Sequence, residues 1–266
     1  MARRTGDELR VAVLGLGEAG GRIASDLVAL DVGVSGWDID PGRAVTGVEA
    51  ARSAADAVRG AGVVLSLNAP DAAEAAARDC VDGLAAGAVF ADLNSAHPRV
   101  KVAVAEVVGR AGALATDVAL LAPVPRRGIG TPALASGPGA KAFAERLGPL
   151  GMPVEVVGTE PGDAAVRKLL RSVVMKGLAA AVLESLRAGR AAGCEEWLRE
   201  EIAATLAAAD ASLVARLEDG SRRHAARRVL EMEAACDVLR ELGVEPRVAG
   251  ATAAVLEALE EEARIS

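Results

Sequence analysis

The apolar run Val11-Ala12-Val13-Leu14 passes directly into Gly15-Leu16-Gly17-Glu18-Ala19-Gly20 and then into a helix-like segment that reaches Leu30. A strand, three glycines at this spacing and a helix in immediate succession constrain the fold more than any other feature of the chain. Gly15 permits a tight turn, Gly17 lets the backbone come close to a pyrophosphate, and Gly20 lets the helix pack closely on the strand. The phosphates then face the free N–H groups and the positive dipole end of the helix. A second apolar run, Val32 to Trp37, ends in Asp38, 18 residues after Gly20, where a carboxylate can accept hydrogen bonds from the hydroxyls of an adenosine ribose. Glycine-rich turns occur in other α/β proteins, but the strand before, the helix after and the acidic residue beyond favour a dinucleotide site. Gly15, Leu16, Gly17, Glu18, Ala19, Gly20 and Asp38 are its expected contacts.

Apolar runs recur at Val63 to Leu67, Val89 to Leu93, Leu114 to Leu121 and Val154 to Val157, separated by alanine-rich stretches of helical character. Such alternation predicts right-handed βαβ units and a doubly wound parallel sheet of the Rossmann kind. Ligands of these sheets bind beyond the C-terminal ends of the strands, so the residues after each run are the candidates for chemistry. They are Asn68-Ala69-Pro70, Asn94-Ser95-Ala-His97-Pro98 and Pro123-Val-Pro-Arg126-Arg127-Gly128. From Gly162 onward no strand pattern is left; Ala, Leu, Glu and Arg dominate, with apolar residues at helical spacing. The expected fold class is α/β, a dinucleotide-binding domain over residues 1–161 followed by an all-helical domain over residues 162–266. Gly189, Gly193, Gly220 and Gly243 are expected to mark breaks between its helices.

The 266 residues, 52% of them hydrophobic, supply core enough for two ordinary domains. A net charge of −7 and only two Phe and two Trp leave neither a basic stripe nor a stacking surface, which argues against nucleic acid as a partner. Cys80, Cys194 and Cys236 are odd in number, far apart and without metal-ligand spacing, as expected of reduced thiols in the cytoplasm. The charged segment Met1 to Arg10 has no apolar stretch of signal-peptide length, and no later stretch runs about 18 apolar residues without a charge. A soluble cytoplasmic protein without a membrane span or a metal is expected.

The order of these motifs resembles the β-hydroxyacid dehydrogenases over most of the chain. That family includes 3-hydroxyisobutyrate and 6-phosphogluconate dehydrogenases, with imine reductases as more distant relatives. Leu67-Asn68-Ala69-Pro70 resembles the family's loop beside the nicotinamide ribose. Asp92-Leu-Asn94-Ser95-Ala-His97-Pro98 is similar to the substrate motif Asp-x-Ser-Thr-x-x-Pro, which implies that Asn94 and Ser95 hold a substrate carboxylate, with Asn94 also beside the cofactor. Gly162-Asp-Ala-Ala-Val-Arg-Lys168-Leu-Leu-Arg171-Ser172 is similar to Gly-x-Gly-x-x-x-Lys-x-x-x-Asn at the start of the long interdomain helix. The resemblance makes Lys168 the catalytic lysine and puts Ser172 where the family has asparagine.

The chain departs from the family in two places that bear on substrate. The family's Pro-Val-Ser-Gly-Gly loop is Pro123-Val124-Pro125-Arg126-Arg127 here, so two guanidinium groups replace two glycines. They either clamp a carboxylate, phosphate or phosphonate of the substrate or are solvated loop charges. Met175, followed by Lys176, stands where 6-phosphogluconate dehydrogenase has a glutamate, which disfavours strict 6-phosphogluconate oxidation. His224, in the basic segment Ser221 to Arg228, forms an i,i+4 pair with Arg228 on an expected helix. In the family this region closes over the substrate, and the alternative is an exposed basic face. His97 is a loop histidine of either kind.

The resemblance implies hydride transfer between a nicotinamide cofactor and a small acidic 2- or 3-hydroxy acid or its oxo form, with Lys168 moving the proton. Asp38 favours NAD, while Arg43, five residues on, leaves NADP open. A homodimer through the helical domain is implied as well. Imine reduction is the alternative chemistry, and a nucleotide-binding protein without turnover the alternative class.

Overall fold

The computed structural model describes residues 9–265, with Pro70 described for its backbone alone. Strand β1 (Arg10–Leu14) turns Val11 and Val13 to one face of the sheet and Ala12 and Leu14 to the other, all of them fully buried. Side chains alternate along a strand, so an apolar run without polar positions belongs between two helical layers. The chain continues through α1 (Glu18–Ala29), β2 (Gly33–Trp37), β3 (Glu49–Ala50), α2 (Ala54–Val58), β4 (Val63–Ser66), α3 (Ala73–Cys80) and β5 (Val89–Asp92). Next come α4 (Pro98–Gly109), β6 (Leu114–Leu120), α5 (Val124–Arg127), β7 (Ala133–Ser136), α6 (Ala140–Leu147) and β8 (Val154–Gly158). The eight strands form one sheet in the order β3-β2-β1-β4-β5-β6-β7-β8, the doubly wound Rossmann arrangement that the alternating runs predict.

Ile23, Ala24 and Leu27 of α1, Val124 of α5, and Phe143 and Leu147 of α6 cover the face to which Val11 and Val13 point. Ala57 and Val58 of α2, Ala77 and Cys80 of α3, and Val104 and Val108 of α4 cover the face of Ala12 and Leu14. Fully buried side chains such as Ile23, Leu27 and Phe143 contribute roughly 2 kcal/mol each. Two strands lie outside the predicted runs. β3 has only two residues, and β7, Ala-Leu-Ala-Ser, has too little apolar character to register as a run. β7 also pairs antiparallel with β6, because the connection holds only the one-turn α5 and a turn at Gly128–Gly130, with no helix long enough to cross back over the sheet.

The remaining elements are α7 (Asp163–Ala191), α8 (Glu195–Ala207), α9 (Leu213–Arg223), α10 (Ala225–Glu241) and α11 (Arg247–Ile265). The chain divides into two compact units, Met1–Leu170 and Arg171–Ser266, at a point inside α7. In the second unit α10 and α11 pack through Val229, Cys236, Ala249, Ala253 and Leu256. The carboxylate of Glu184 on α7 accepts the N–H groups of Val248 and Ala249, at 2.9 and 2.8 Å, and so caps α11. Gly193 and Gly243, at φ +76° and +71°, end α7 and α10 as expected. Gly189 and Gly220 instead lie inside α7 and α9. Close approach explains them, since an added Cβ would lie 3.0 Å from Leu198 at Gly189 and 2.9 Å from the Arg228 guanidinium at Gly220. The break between α9 and α10 falls at His224, which corrects the single helix expected through Ser221 to Arg228. No described helix is long and apolar enough to cross a membrane.

Candidate functional site

The glycine turn joins β1 to α1 along the C-terminal edge of the sheet. Gly15 takes φ +91°, and its N–H bonds Trp37 O at 2.8 Å. An added Cβ at Gly15 would overlap Leu67 O, and one at Gly20 would overlap Gly15 O. Both positions therefore exclude every other residue for reasons of contact, and Gly15 for its backbone angle as well. Gly17 is the N-cap of α1 and offers no side chain to the first-turn N–H groups. Leu16 packs its side chain toward Gly36, while Glu18 is exposed in the first turn and Ala19 half-buried. A cavity of about 350 Å³ adjoins the turn, lined by Gly15, Trp37, Asp38, Arg43, Asn68 and Ala69 among others. A bare helix terminus, a backbone cleared of Cβ atoms and a carboxylate beside a cavity of this size fit a dinucleotide.

Asp38 is more deeply engaged than its place after β2 suggests. One oxygen accepts the Leu16 N–H at 2.6 Å, the other the Asp40 N–H at 2.8 Å, and Arg43 Nη1 lies 3.5 Å from the first. The side chain is 5% exposed. Asp38 thus fixes the turn itself, and the Arg43 guanidinium lies beside Gly17, 2.9 Å from where a Gly17 Cβ would be. In the loop after β4, Asn68 donates to Ser66 Oγ at 2.8 Å, Ala69 caps the short turn Pro70–Ala72, and the Pro70 side chain lies outside the described residues.

At the end of β5, Asn94 is 5% exposed; its side-chain amide donates to Asp92 at 2.6 Å and more loosely to Ser66 at 3.4 Å. Its Oδ1 is buried and has no hydrogen-bond partner among the described residues, where a buried acceptor ordinarily has one. Ser95 is exposed, and its Oγ accepts a hydrogen bond from Lys168 Nζ at 2.6 Å. Two residues 73 positions apart, picked out by motif alone, are in direct contact. His97 accepts the Arg99 N–H at 3.1 Å and caps α4, a structural task that the sequence leaves open.

Arg126 and Arg127 are exposed on α5, after the C-terminal end of β6, and their side chains form no ion pair among the described residues. The segment is pinned to α1, where Arg22 donates to Pro125 O at 3.3 Å and Asp26 accepts the Ile129 N–H at 2.8 Å. Ser172 belongs to the second unit and accepts from Lys176 at 3.4 Å. His224 is exposed, also in the second unit, and Arg228 bonds Ser221 at 2.7 Å. The three cysteines are free, and burial pushes the Cys80 thiol up to about 12, which leaves it no nucleophilic role.

Beneath Ser95 and Lys168 lies a buried polar cluster of which the motifs announce only Asp92. Lys101, Asp92, Asp117 and Ser136 are all under 4% exposed. The available signal is a lone charge inside an apolar run, Val-Lys101-Val-Ala-Val in α4 and Thr-Asp117-Val-Ala in β6.

A mostly parallel sheet with a dinucleotide turn, followed by an all-helical region, defines a nucleotide-dependent α/β protein. Residues 10–126 match the family model described as the NAD binding domain of 6-phosphogluconate dehydrogenase. Residues 190–259 match the domain of unknown function DUF1932. A conserved hypothetical protein from Sinorhizobium meliloti is 31% identical, with a TM-score of 0.64, covering 95% of this chain and 88% of that one. A conserved protein of unknown function, whose structure reveals similarity with 3-hydroxyacid dehydrogenases, is 30% identical, with a TM-score of 0.62, covering 95% of this chain and 97% of that one. An imine reductase from Aspergillus terreus shares the fold at a TM-score of 0.79 and 19% identity, over 97% of this chain and 96% of that one. No curated protein matches the chain. The chain belongs to the 6-phosphogluconate dehydrogenase-like family, whose structures include 3-hydroxyacid dehydrogenase-like proteins, and residues 10–126 within its first unit match that family's NAD-binding domain.

The Gly15–Gly20 contact yields a direct expectation. Gly20→Ala forces α1 away from β1 and lowers the unfolding free energy in urea by about 2 kcal/mol, with loss of NADH binding by the protein that remains folded.

Proposed function

We propose that the protein is an NAD(P)-dependent oxidoreductase that interconverts a small acidic 2- or 3-hydroxy acid and its oxo form, with Lys168 as the general acid and base. The observation that carries this reading is the 2.6 Å hydrogen bond from Lys168 to Ser95, on the loop after β5. A bound nicotinamide would supply or accept the hydride. The residues of the chain do the rest. The N–H groups at the start of α1 hold the pyrophosphate, and Asp38 accepts from the ribose beside it. Asn94, whose buried Oδ1 has no hydrogen-bond partner among the described residues, is assigned to the cofactor and substrate side from the motif. Ser95 orients Lys168 and helps hold the substrate's carboxylate, while Lys168 meets the reacting oxygen. In reduction Lys168 delivers a proton to that oxygen as the carbonyl becomes a hydroxyl, and in oxidation it removes the same proton. Arg126 and Arg127, exposed and without an ion pair among the described residues, supply charge for the substrate's acid group. Ser172 and His224 are assigned to the substrate side from the motif order.

Domain roles follow the change of pattern at Gly162, with residues 1–161 for the cofactor and residues 162–266 for substrate and dimerisation. A homodimer is supported by the apolar residues that the second unit leaves uncovered. Val173, Val174 and Leu183 on α7 are 70%, 68% and 70% exposed, and Trp197 on α8 and Val214 on α9 are exposed as well. Free cysteines suit a cytoplasmic location. Sedimentation at micromolar concentration is expected to give a dimer, and Val173→Asp with Val174→Asp a monomer; a monomeric wild type would contradict the assignment.

Cofactor choice rests on Asp38 with Arg43 against it, and the reading favours NAD. Calorimetric titration of the wild type is expected to show tighter binding of NADH than of NADPH. Asp38→Ala is expected to lose at least about tenfold in NADH affinity, near 1.4 kcal/mol, with part of the preference shifted to NADPH through Arg43. Folded wild-type protein that binds neither would contradict the proposed function. With the preferred cofactor, a screen of hydroxy acids, oxo acids and imines then identifies the substrate class.

A further inference from the structure

We propose that Lys101 is the positioning residue that fixes the Lys168–Ser95 pair, an inference that rests on the assignment of that pair as the reaction centre. Lys101 lies on α4 with its side chain 1% exposed. Nζ donates to the backbone oxygens of Asp92 at 2.9 Å and Asn94 at 2.6 Å. The same atom faces Asp92 Oδ2 at 3.1 Å and Asp117 Oδ1 at 3.3 Å. The other oxygen of Asp117 accepts the Ala165 N–H at 2.8 Å and a long hydrogen bond from Ser136 Oγ at 3.5 Å. Ser136 Oγ in turn accepts the Ala164 N–H at 3.0 Å.

These contacts close a ring. The Asn94 carbonyl that Lys101 holds belongs to the peptide group leading into Ser95. Ser95 accepts from Lys168, which lies one helical turn beyond Ala165, and Ala165 returns through Asp117 to Lys101. One buried ammonium thus ties the loop that carries Ser95 to the helix turn that presents Lys168. Stability alone does not account for it. Desolvating an ammonium with two carboxylates is costly, and a well-packed apolar residue in place of a buried ion pair is often neutral or stabilising. What an apolar residue lacks is the pair of hydrogen bonds to the Asp92 and Asn94 carbonyls at the base of the loop.

Lys101→Met alone strands two buried carboxylates and is expected to unfold the unit. Lys101→Met combined with Asp92→Asn and Asp117→Asn avoids this. One ammonium and two carboxylates all become neutral groups, so no buried charge is left unpaired, and an amide oxygen remains to cap Ala165. The readout is acetylation of Lys168 by the N-hydroxysuccinimide ester of acetic acid, resolved by mass spectrometry and referenced to Lys141, whose side chain is 87% exposed. The triple variant is expected to stay folded and to acetylate Lys168 about fivefold faster, as befits loss of one hydrogen bond. Ser95→Ala is expected to give the same gain, with no further gain when the changes are combined, because Lys101 acts through Ser95. An unchanged rate, gains that multiply, or failure of the triple variant to fold would overturn the inference and leave the cluster a core device. The functional reading fails separately, by absence of NADH and NADPH binding in the wild type, which the acetylation rate does not depend on.

Discussion

At Gly20 a single methyl group would collide with the Gly15 carbonyl, and the first unit is arranged around its absence. The missing side chain lets α1 begin in contact with the end of β1, which puts Ile23 and Leu27 over the sheet and leaves the first helical N–H groups bare. Those N–H groups are the reason for an anion site at this edge. Asp38 then fastens β2 to the turn through the Leu16 N–H, so the residue proposed to meet a ribose also holds the turn in shape. Recognition and folding share the same atoms here, which is why the segment reads so clearly in the sequence.

The second constraint is electrostatic. Burying Lys101 with Asp92 and Asp117 places three formal charges between α4, β5 and β6, where breaking one partnership costs about 3–5 kcal/mol. Such a cluster tolerates few arrangements, and that is its use. The two carbonyls of the loop after β5 and the first N–H groups of α7 are held by groups that cannot move without stranding a charge. A proton-transfer residue needs its heavy-atom distance fixed to within tenths of an ångström, and a rigid buried network beneath an exposed pair meets that need.

The sequence shows the parts of the fold that repeat and conceals those set by tertiary contact. β1, β2, β4, β5, β6 and β8 are visible because each is an apolar run between helical stretches. β3 and β7 are not, since their residues are short or small and their pairing is settled by neighbouring strands. Gly189 and Gly220 look like helix breaks but serve close packing against Leu198 and Arg228. In the candidate site, Ser95 and Lys168 are legible only through motif resemblance, and the hydrogen bond between them comes from the fold. Lys101 and Asp117 carry a weaker mark, a charge at a position where periodicity calls for an apolar residue. Arg126 and Arg127 are plain in the sequence, yet their role depends on a substrate that neither sequence nor fold contains.

The account stands most directly on Lys168. The decisive measurement is turnover of wild type and Lys168→Met with the preferred cofactor and the best hydroxy or oxo acid, alongside cofactor affinity by calorimetry. The account predicts that the substitution lowers kcat by about 10² to 10⁴, the usual contribution of a positioned acid or base, with cofactor affinity unchanged. Turnover that survives at the wild-type rate would contradict the assignment of Lys168 and with it the proposed reaction centre.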